Sequence, residues 1–162
     1  MLTPFHLAIG VHDLEAAERF YREVMGCPVG RRGQDWIDFN FMGHQVVCHK
    51  VANVAQSFEN PVDGDAVPIP HFGVVLTQSA FATLRDRLLA QGVEFVIEPT
   101  TRFLGEPGEQ SIMFLRDPSG NAIEFKAFKD IELSLFATDY CLMDFRGLKR
   151  RGLPRRISRF LP

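Results

Sequence analysis

The sequence predicts an α+β protein built from two copies of one β-α-β-β-β unit, module one at residues 4–51 and module two at 71–128, joined by a linker at 52–70. Three observations predict it. Strand, helix and hairpin signals run in the same order twice along the 162 residues. Each copy opens with a proline closely followed by a histidine at the mouth of an apolar strand, PFHLAIGV at 4–11 and PHFGVVL at 70–76. Each closes with a similar hairpin return, GHQVVCHK at 43–50 and GNAIEFK at 120–126. A single unit has a one-sided sheet and one helix and cannot enclose a cavity alone, whereas two together can.

In the first strand Phe5, Leu7, Ile9 and Val11 alternate with His6, Ala8 and Gly10, the period of a half-buried strand. Asp13 is placed as an N-cap. Leu14, Ala17, Phe20, Tyr21 and Val24 then recur at helical spacing until Gly26 supplies a stop. Residues 28–31 read as a short strand. The runs at 36–42 and 45–50, turning at Gly43 and His44, read as a hairpin. Module two repeats this with a strand at 71–76, a helix capped by Ser79 and carrying Phe81, Leu84, Leu88 and Leu89, a stop at Gly92, and strands at 93–97, 111–116 and 121–126. The linker is rich in Asn, Asp, Gly and Pro, and residues 99–110 form a loop that module one lacks.

The histidine face of each first strand carries small neighbours, Ala8 and Gly10 in one unit and Gly73 and Val75 in the other, which leaves a hollow. Side-by-side packing of the units brings His6 and His71 together there, and Glu124, alone in the apolar run AIEF, joins them if the last strand runs beside the first. Aligning the two hairpin returns puts Cys48 in the place of Glu124. Two histidines and one carboxylate form a metal-ligand set with up to three open positions, suited to Fe(II) and equally able to hold Zn(II), Mn(II) or Ni(II). A buried carboxylate without a partner is costly, and a metal removes that cost. Binding needs neutral imidazoles and an ionised glutamate, so occupancy weakens in acid.

Composition sets the frame around this chemistry. With 46% hydrophobic and 23% charged residues and fifteen phenylalanines, the chain has the make-up of a soluble globular domain. Cys27, Cys48 and Cys141 are an odd set without a CxxC pair, which fits reduced thiols in the cytoplasm. No signal peptide or membrane-spanning run is read. Residues 129–162 form a C-terminal extension with a basic tail that holds seven of the eighteen Lys and Arg residues. Without a recognisable module, that tail is read as an appendage or a partner-subunit contact, and nucleic acid is not expected as a partner.

The motifs FHLAI at 5–9, VHDLEAAERFY at 11–21 with Met25-Gly26, PHFGV at 70–74 and FLRDPSGNAIEF at 114–125 resemble those of the vicinal oxygen chelate superfamily, which includes glyoxalase I, bleomycin-resistance proteins, fosfomycin-resistance enzymes and type I extradiol dioxygenases. The resemblance covers residues 4–128. It implies one domain over 1–128 whose two βαβββ modules form a cupped eight-stranded mixed sheet around one divalent metal, held by His6, His71 and Glu124. It also implies a fourth, carboxylate ligand near position 48 in glyoxalase I. This sequence has none there, which disfavours that enzyme.

Other candidates have plainer readings beside them. Cys48 is expected as a small buried hydrophobe and only in principle as a soft ligand. His49 is expected toward the helices, His44 and His12 as turn and capping residues, and Asn40 either in the cavity or on a polar surface. In the 99–110 loop, Arg102 is expected to pair an acidic substrate group, Phe103 to cover it, and Glu109 or Glu106 to serve as acid or base, Arg102 and Glu109 being the catalytic candidates. The expected activity is an Fe(II) dioxygenase of extradiol type, in a homodimer, on a small diol-like substrate. The alternatives are a lyase, isomerase or thiol transferase using the metal as Lewis acid, and a metal-free protein that sequesters a ligand between modules. The sequence leaves open whether the site closes within one chain or across a dimer.

Overall fold

The computed structural model describes residues 3–54, 56–62, 64–106 and 108–135, and Cys141 and the basic tail lie outside them. Module one comprises β1 (His6–Val11), α1 (Leu14–Glu18) continued as a π-helical stretch over Arg19–Val24, β2 (Val29–Arg32), β3 (Trp36–Phe41) and β4 (His44–Lys50). A hairpin of β5 (Phe58–Val62) and β6 (Asp65–Ile69) follows. Module two comprises β7 (His71–Leu76), α2 (Gln78–Ala90), β8 (Phe95–Arg102), β9 (Gln110–Arg116) and β10 (Ala122–Phe128), and a short α3 (Ile131–Ser134) comes after it. The strands form two four-stranded mixed sheets of identical order, β1-β4-β3-β2 and β7-β10-β9-β8. The expected α+β architecture of two βαβββ modules is therefore what the chain adopts.

Local chemistry explains most boundaries. Asp13 caps α1 by accepting from the amides of Glu15 and Ala16, and those two bonds hold its carboxyl below the usual carboxylate range. The helix that opens at Asp13 ends at Gly26, which takes the left-handed conformation at φ 79°. Its last carbonyls are satisfied from the other module: Arg87 of α2 donates through Nε to the Val24 carbonyl and through Nη2 to that of Glu23, both at 2.7 Å. The β3–β4 turn is Met42-Gly43, both at positive φ, rather than Gly43-His44.

Three expectations are corrected. The cap of α2 is Thr77, whose hydroxyl accepts from the Ala80 amide, and Ser79 lies inside the helix. The linker, read only as a connector rich in Asn, Asp, Gly and Pro, holds a hairpin, because β5 and β6 pair across it. The long loop is shorter than 99–110, since β8 runs to Arg102 and β9 starts at Gln110.

One core joins the modules. It takes Tyr21, Phe39, Phe41, Val46 and Cys48 from the first and Leu88, Leu115, Ile123 and Phe125 from the second, with Phe41 ringed by Phe72 at 5.6 Å and Phe125 at 5.9 Å. Each such aromatic contributes about 1.5–3 kcal/mol by burial. The D117–N121 turn pins the same seam. Buried Asp117 accepts from the Tyr21 hydroxyl at 3.0 Å, and Asn121 Nδ2 donates to the Gly10 carbonyl at 2.9 Å. Burial and the Asp117 carboxylate push the Tyr21 phenol well above its ordinary range, so it stays a donor. No helix among the described residues is long and apolar enough to cross a membrane.

Candidate metal centre

Since the shared core takes one face of each sheet, strand alternation assigns the other face. In module two β10 lies between β7 and β9, and the register sets three rows on the open face: His71–Ala122–Arg116, Gly73–Glu124–Phe114 and Val75–Lys126–Ile112. Glycine at 73 is required there, because a Cβ would collide with the Glu124 carbonyl oxygen. The same register in module one gives His6–Gln45–Asn40, Ala8–Val47–Asp38 and Gly10–His49–Trp36.

The counterpart of Glu124 is therefore Val47, and the expected equivalence with Cys48 is off by one residue. Cys48 is 0% exposed on the core side, where burial pushes its thiol up to about 12, so it remains a neutral apolar side chain. The same shift turns His49 onto the open face with His6, opposite to the expectation that it meets the helices. Asn40 is on the open face as expected, and its Oδ1 accepts from the Gly43 amide at 2.7 Å, which makes it a turn cap.

His71 and Glu124 meet. The imidazole Nε2 stands 3.3 Å from Glu124 Oε2, while Nδ1 is 2.6 Å from the Pro68 carbonyl oxygen. A carbonyl only accepts, so Nδ1 carries the proton. In the neutral ring Nε2 then presents a lone pair to a carboxylate, an approach made favourable by a cation shared between them, either a metal ion or a second proton on the ring. Two ligand atoms bound to one ion at about 2.0–2.2 Å stand about 3 Å apart, which this pair matches. The ring also packs edge-on against Phe114 at 5.2 Å. Glu124 is 9% exposed, and its second oxygen lies 3.2 Å from Lys126 Nζ.

His6 is held by a different route to the same end. Its Nδ1 is 2.7 Å from Gln45 Oε1, and Gln45 Nε2 donates to Asp38 Oδ2 at 2.8 Å. Asp38, 4% exposed, accepts also from the backbone and side chain of Arg31, in a space that glycine at position 30 leaves open. An ionised carboxylate cannot donate, so the amide group of Gln45 must face it. The Gln45 oxygen must then face His6, and His6 must carry its proton on Nδ1. Both histidines thus offer Nε2 as a ligand, the arrangement by which outer partners orient metal-binding imidazoles.

Within one chain only two of the three expected ligands come together. His6 and His71 face away from the common core on separate sheets, and metal-ligating His, Cys, Asp and Glu side chains form no group of three among the described residues. Arg102 lies at the end of β8 in an ion pair with Asp65 of β6. Glu109 accepts from the Gly105 amide at 2.7 Å and stands 3.3 Å from Lys129 Nζ. The Gly105 bond chiefly, with Lys129, holds its carboxyl below the usual range. These contacts tie β6 to the end of β8 and hold Glu109 between Gly105 and Lys129.

Sequence reading missed the Gln45–Asp38 relay, Lys126, Arg116 and the hairpin over the open face. Val62 and Val67 of that hairpin pack on Ile97, Ile112 and Phe114. The Asp-Gly pair at 63–64 is the signal that could have found the hairpin.

Comparison with known proteins gives one family. The Glyoxalase/Bleomycin resistance protein/Dioxygenase superfamily model matches residues 3–125. A virulence protein of Salmonella typhimurium is 27% identical over 123 residues, 76% of this chain and 82% of that one. The crystal structure of a glyoxalase/bleomycin resistance protein/dioxygenase from Alicyclobacillus acidocaldarius is 34% identical with a TM-score of 0.67, covering 80% of this chain and 94% of that one. A genomically encoded fosfomycin resistance protein of Listeria monocytogenes shares the fold at 15% identity and TM-score 0.58, over 78% and 94% of the two chains.

Proposed function

The chain belongs to the Glyoxalase/Bleomycin resistance protein/Dioxygenase superfamily, and from that premise we propose a divalent-metal enzyme for a small substrate with two neighbouring oxygen atoms, Fe(II) dioxygenase chemistry of extradiol type being its leading reaction. The observation that carries the proposal is the His71–Glu124 pair, with Nε2 turned to a carboxylate at 3.3 Å and Nδ1 occupied by a carbonyl. His6 is the third ligand. With Val47 in the place of a fourth, the set keeps open positions. Because His6 forms no ligand group with His71 and Glu124 among the described residues of its own chain, we place it in the site of a second copy, so the enzyme is a homodimer with two joint sites. The buried thiols Cys27 and Cys48, unpaired, support a cytoplasmic setting.

A divalent ion there would polarise substrate oxygens and, as iron, open dioxygen chemistry. Glu124 would meet the metal through Oε2, the oxygen that faces His71, while Lys126 Nζ, beside Oε1, would be placed to hold a proton or an anionic oxygen of the substrate. Phe114 and Ile112, covered by the hairpin, keep water from that side. The placement of Lys126 beside the carboxylate favours a second reading, a Lewis-acid isomerase, lyase or thiol transferase, in which the ammonium neutralises an oxyanion on the substrate.

Metal analysis of the full chain purified without chelator tests the class. About one equivalent per chain, lost in His71→Ala, is expected, and no bound metal would leave only the ligand-sequestering alternative. Oxygen uptake by the Fe(II) protein with a catechol panel separates the two chemistries. Its absence across the panel would transfer the proposal to the Lewis-acid reading.

A further inference from the structure

Where the modules meet, a cleft of about 490 Å³ is lined by Arg116, Ser57, Ser119, Asn53, Gln56 and His12, with no Asp or Glu. Arg116 is half-buried, and its Nη1 donates to Ser57 Oγ and to the Gly120 carbonyl, both at 2.8 Å. No ion pair among the described residues includes it. Asp117, next in sequence, points to the other face, where the Tyr21 hydroxyl, the amides of Ser119 and Asn121 and the Asn121 side chain take its oxygens. A half-buried guanidinium without a counter-charge is costly, and its fork of donors fits a carboxylate or phosphate-type group. Hydroxyl and amide side chains around it supply further donors.

The cleft leads to the metal half-site. Arg116 shares a row with His71, separated by the small Ala122. A second cavity of about 270 Å³ that reaches His71 shares Val54, Ser57 and Gly120 with the cleft.

We propose that the Arg116 cleft is an oxyanion subsite that takes the carboxylate or phosphate-type group of the substrate while the neighbouring oxygens reach the His71–Glu124 centre. The second half of this statement rests on the metal-enzyme reading above, and the first does not. The substrate class is then an acidic chelator, such as a hydroxy acid or a carboxylated diol.

The test begins on the metal-free full chain with inorganic phosphate and, separately, acetate, followed by amide NMR. Saturable shifts at Ser57, Ser119 and Gly120 are expected, weakened at least tenfold by Arg116→Met and a few-fold by Ser57→Ala, and unchanged by His71→Ala. If Arg116→Met does not fold, Arg116→Lys keeps the charge, loses the fork, and should weaken binding in the same direction. Shifts that fail to saturate, that persist in these variants, that vanish with His71→Ala, or that fall only in residues 136–162 would overturn the subsite. On the Zn(II)-loaded protein, 2,3-dihydroxybenzoate should bind at least tenfold tighter than catechol in the wild type, and equally in Arg116→Met. Equal affinities in the wild type would overturn the substrate assignment while leaving the metal centre intact.

Discussion

Each module buries one carboxylate on its open face in the row below the histidine, and the two carboxylates stand one strand apart. In module two it is Glu124 on the strand beside the first, and it meets His71 directly. In module one that position is Val47, and the carboxylate is Asp38 on the next strand, which reaches His6 only through Gln45. The duplicated frame therefore makes one ligand pair and one oriented single ligand. On the proposed pairing across copies, two such halves would make a three-ligand centre, whereas two Glu124-type halves would make a four-ligand one with fewer open positions. In the proposed enzyme, a one-strand displacement of a carboxylate would decide how much of the metal is left for substrate.

The largest break in this comparison is expected at the strand junction. Gly73→Ala puts a methyl into the Glu124 carbonyl and should cost more than about 4 kcal/mol, or prevent folding, because backbone must move. Ala8→Gly, at the counterpart position, should cost only about 0.5–1 kcal/mol, read by urea denaturation.

Next come the ligands. His71→Ala and His6→Ala should each lower Zn(II) affinity by more than the roughly 10–100-fold typical of outer partners, measured by competition with a chromogenic chelator. Mixing the two variants should restore one intact site in each heterodimer. No recovery on mixing would mean that the modules do not combine across copies.

A smaller effect is expected from the relay. Gln45→Leu should weaken metal binding by about 10–100-fold and, in the metal-free protein, move the His6 proton from Nδ1 toward Nε2, as read by long-range imidazole ¹⁵N spectra. His71, held by Pro68, should keep its tautomer.

The smallest concerns Cys48, whose counterpart in module two is Phe125. Its folded pKa, raised to about 12 by burial, lies above the unfolded value of 9.0. The stability linked to it is complete below pH 9 and is lost as pH rises toward 12, roughly 1 kcal/mol of it between pH 9 and 10. A Cys48→Ala variant should show a shallower alkaline decline.

Much of the frame was legible from local signals. The alternation in 4–11 and 71–76, the cap at Asp13 and the stop at Gly26 act within a few residues and survive in the fold. Register was less legible, because one extra residue in the first hairpin return makes Cys48 look like the partner of Glu124, and a shift of one turns every side chain over. The relay was illegible for another reason. Gln45 and Asp38 are polar strand residues whose role exists only once β3 and β4 pair. Arg116 and Lys126 became visible as neighbours of His71 and Glu124 through cross-strand rows. Nor could sequence place His6 apart from His71, since that follows from which faces share the core.

The β5–β6 hairpin touches the open face in two unlike ways. Val62 and Val67 rest on Ile97, Ile112 and Phe114 through apolar contacts that many shapes could satisfy, while the Pro68 carbonyl fixes the His71 ring through one directed bond. Residues added to or trimmed from the hairpin tip should therefore leave the His71 ring held as it is. For the proposed metal enzyme, diversification of substrate range and retention of the metal would then be separable, and descendants of this chain could change diet while keeping the same teeth.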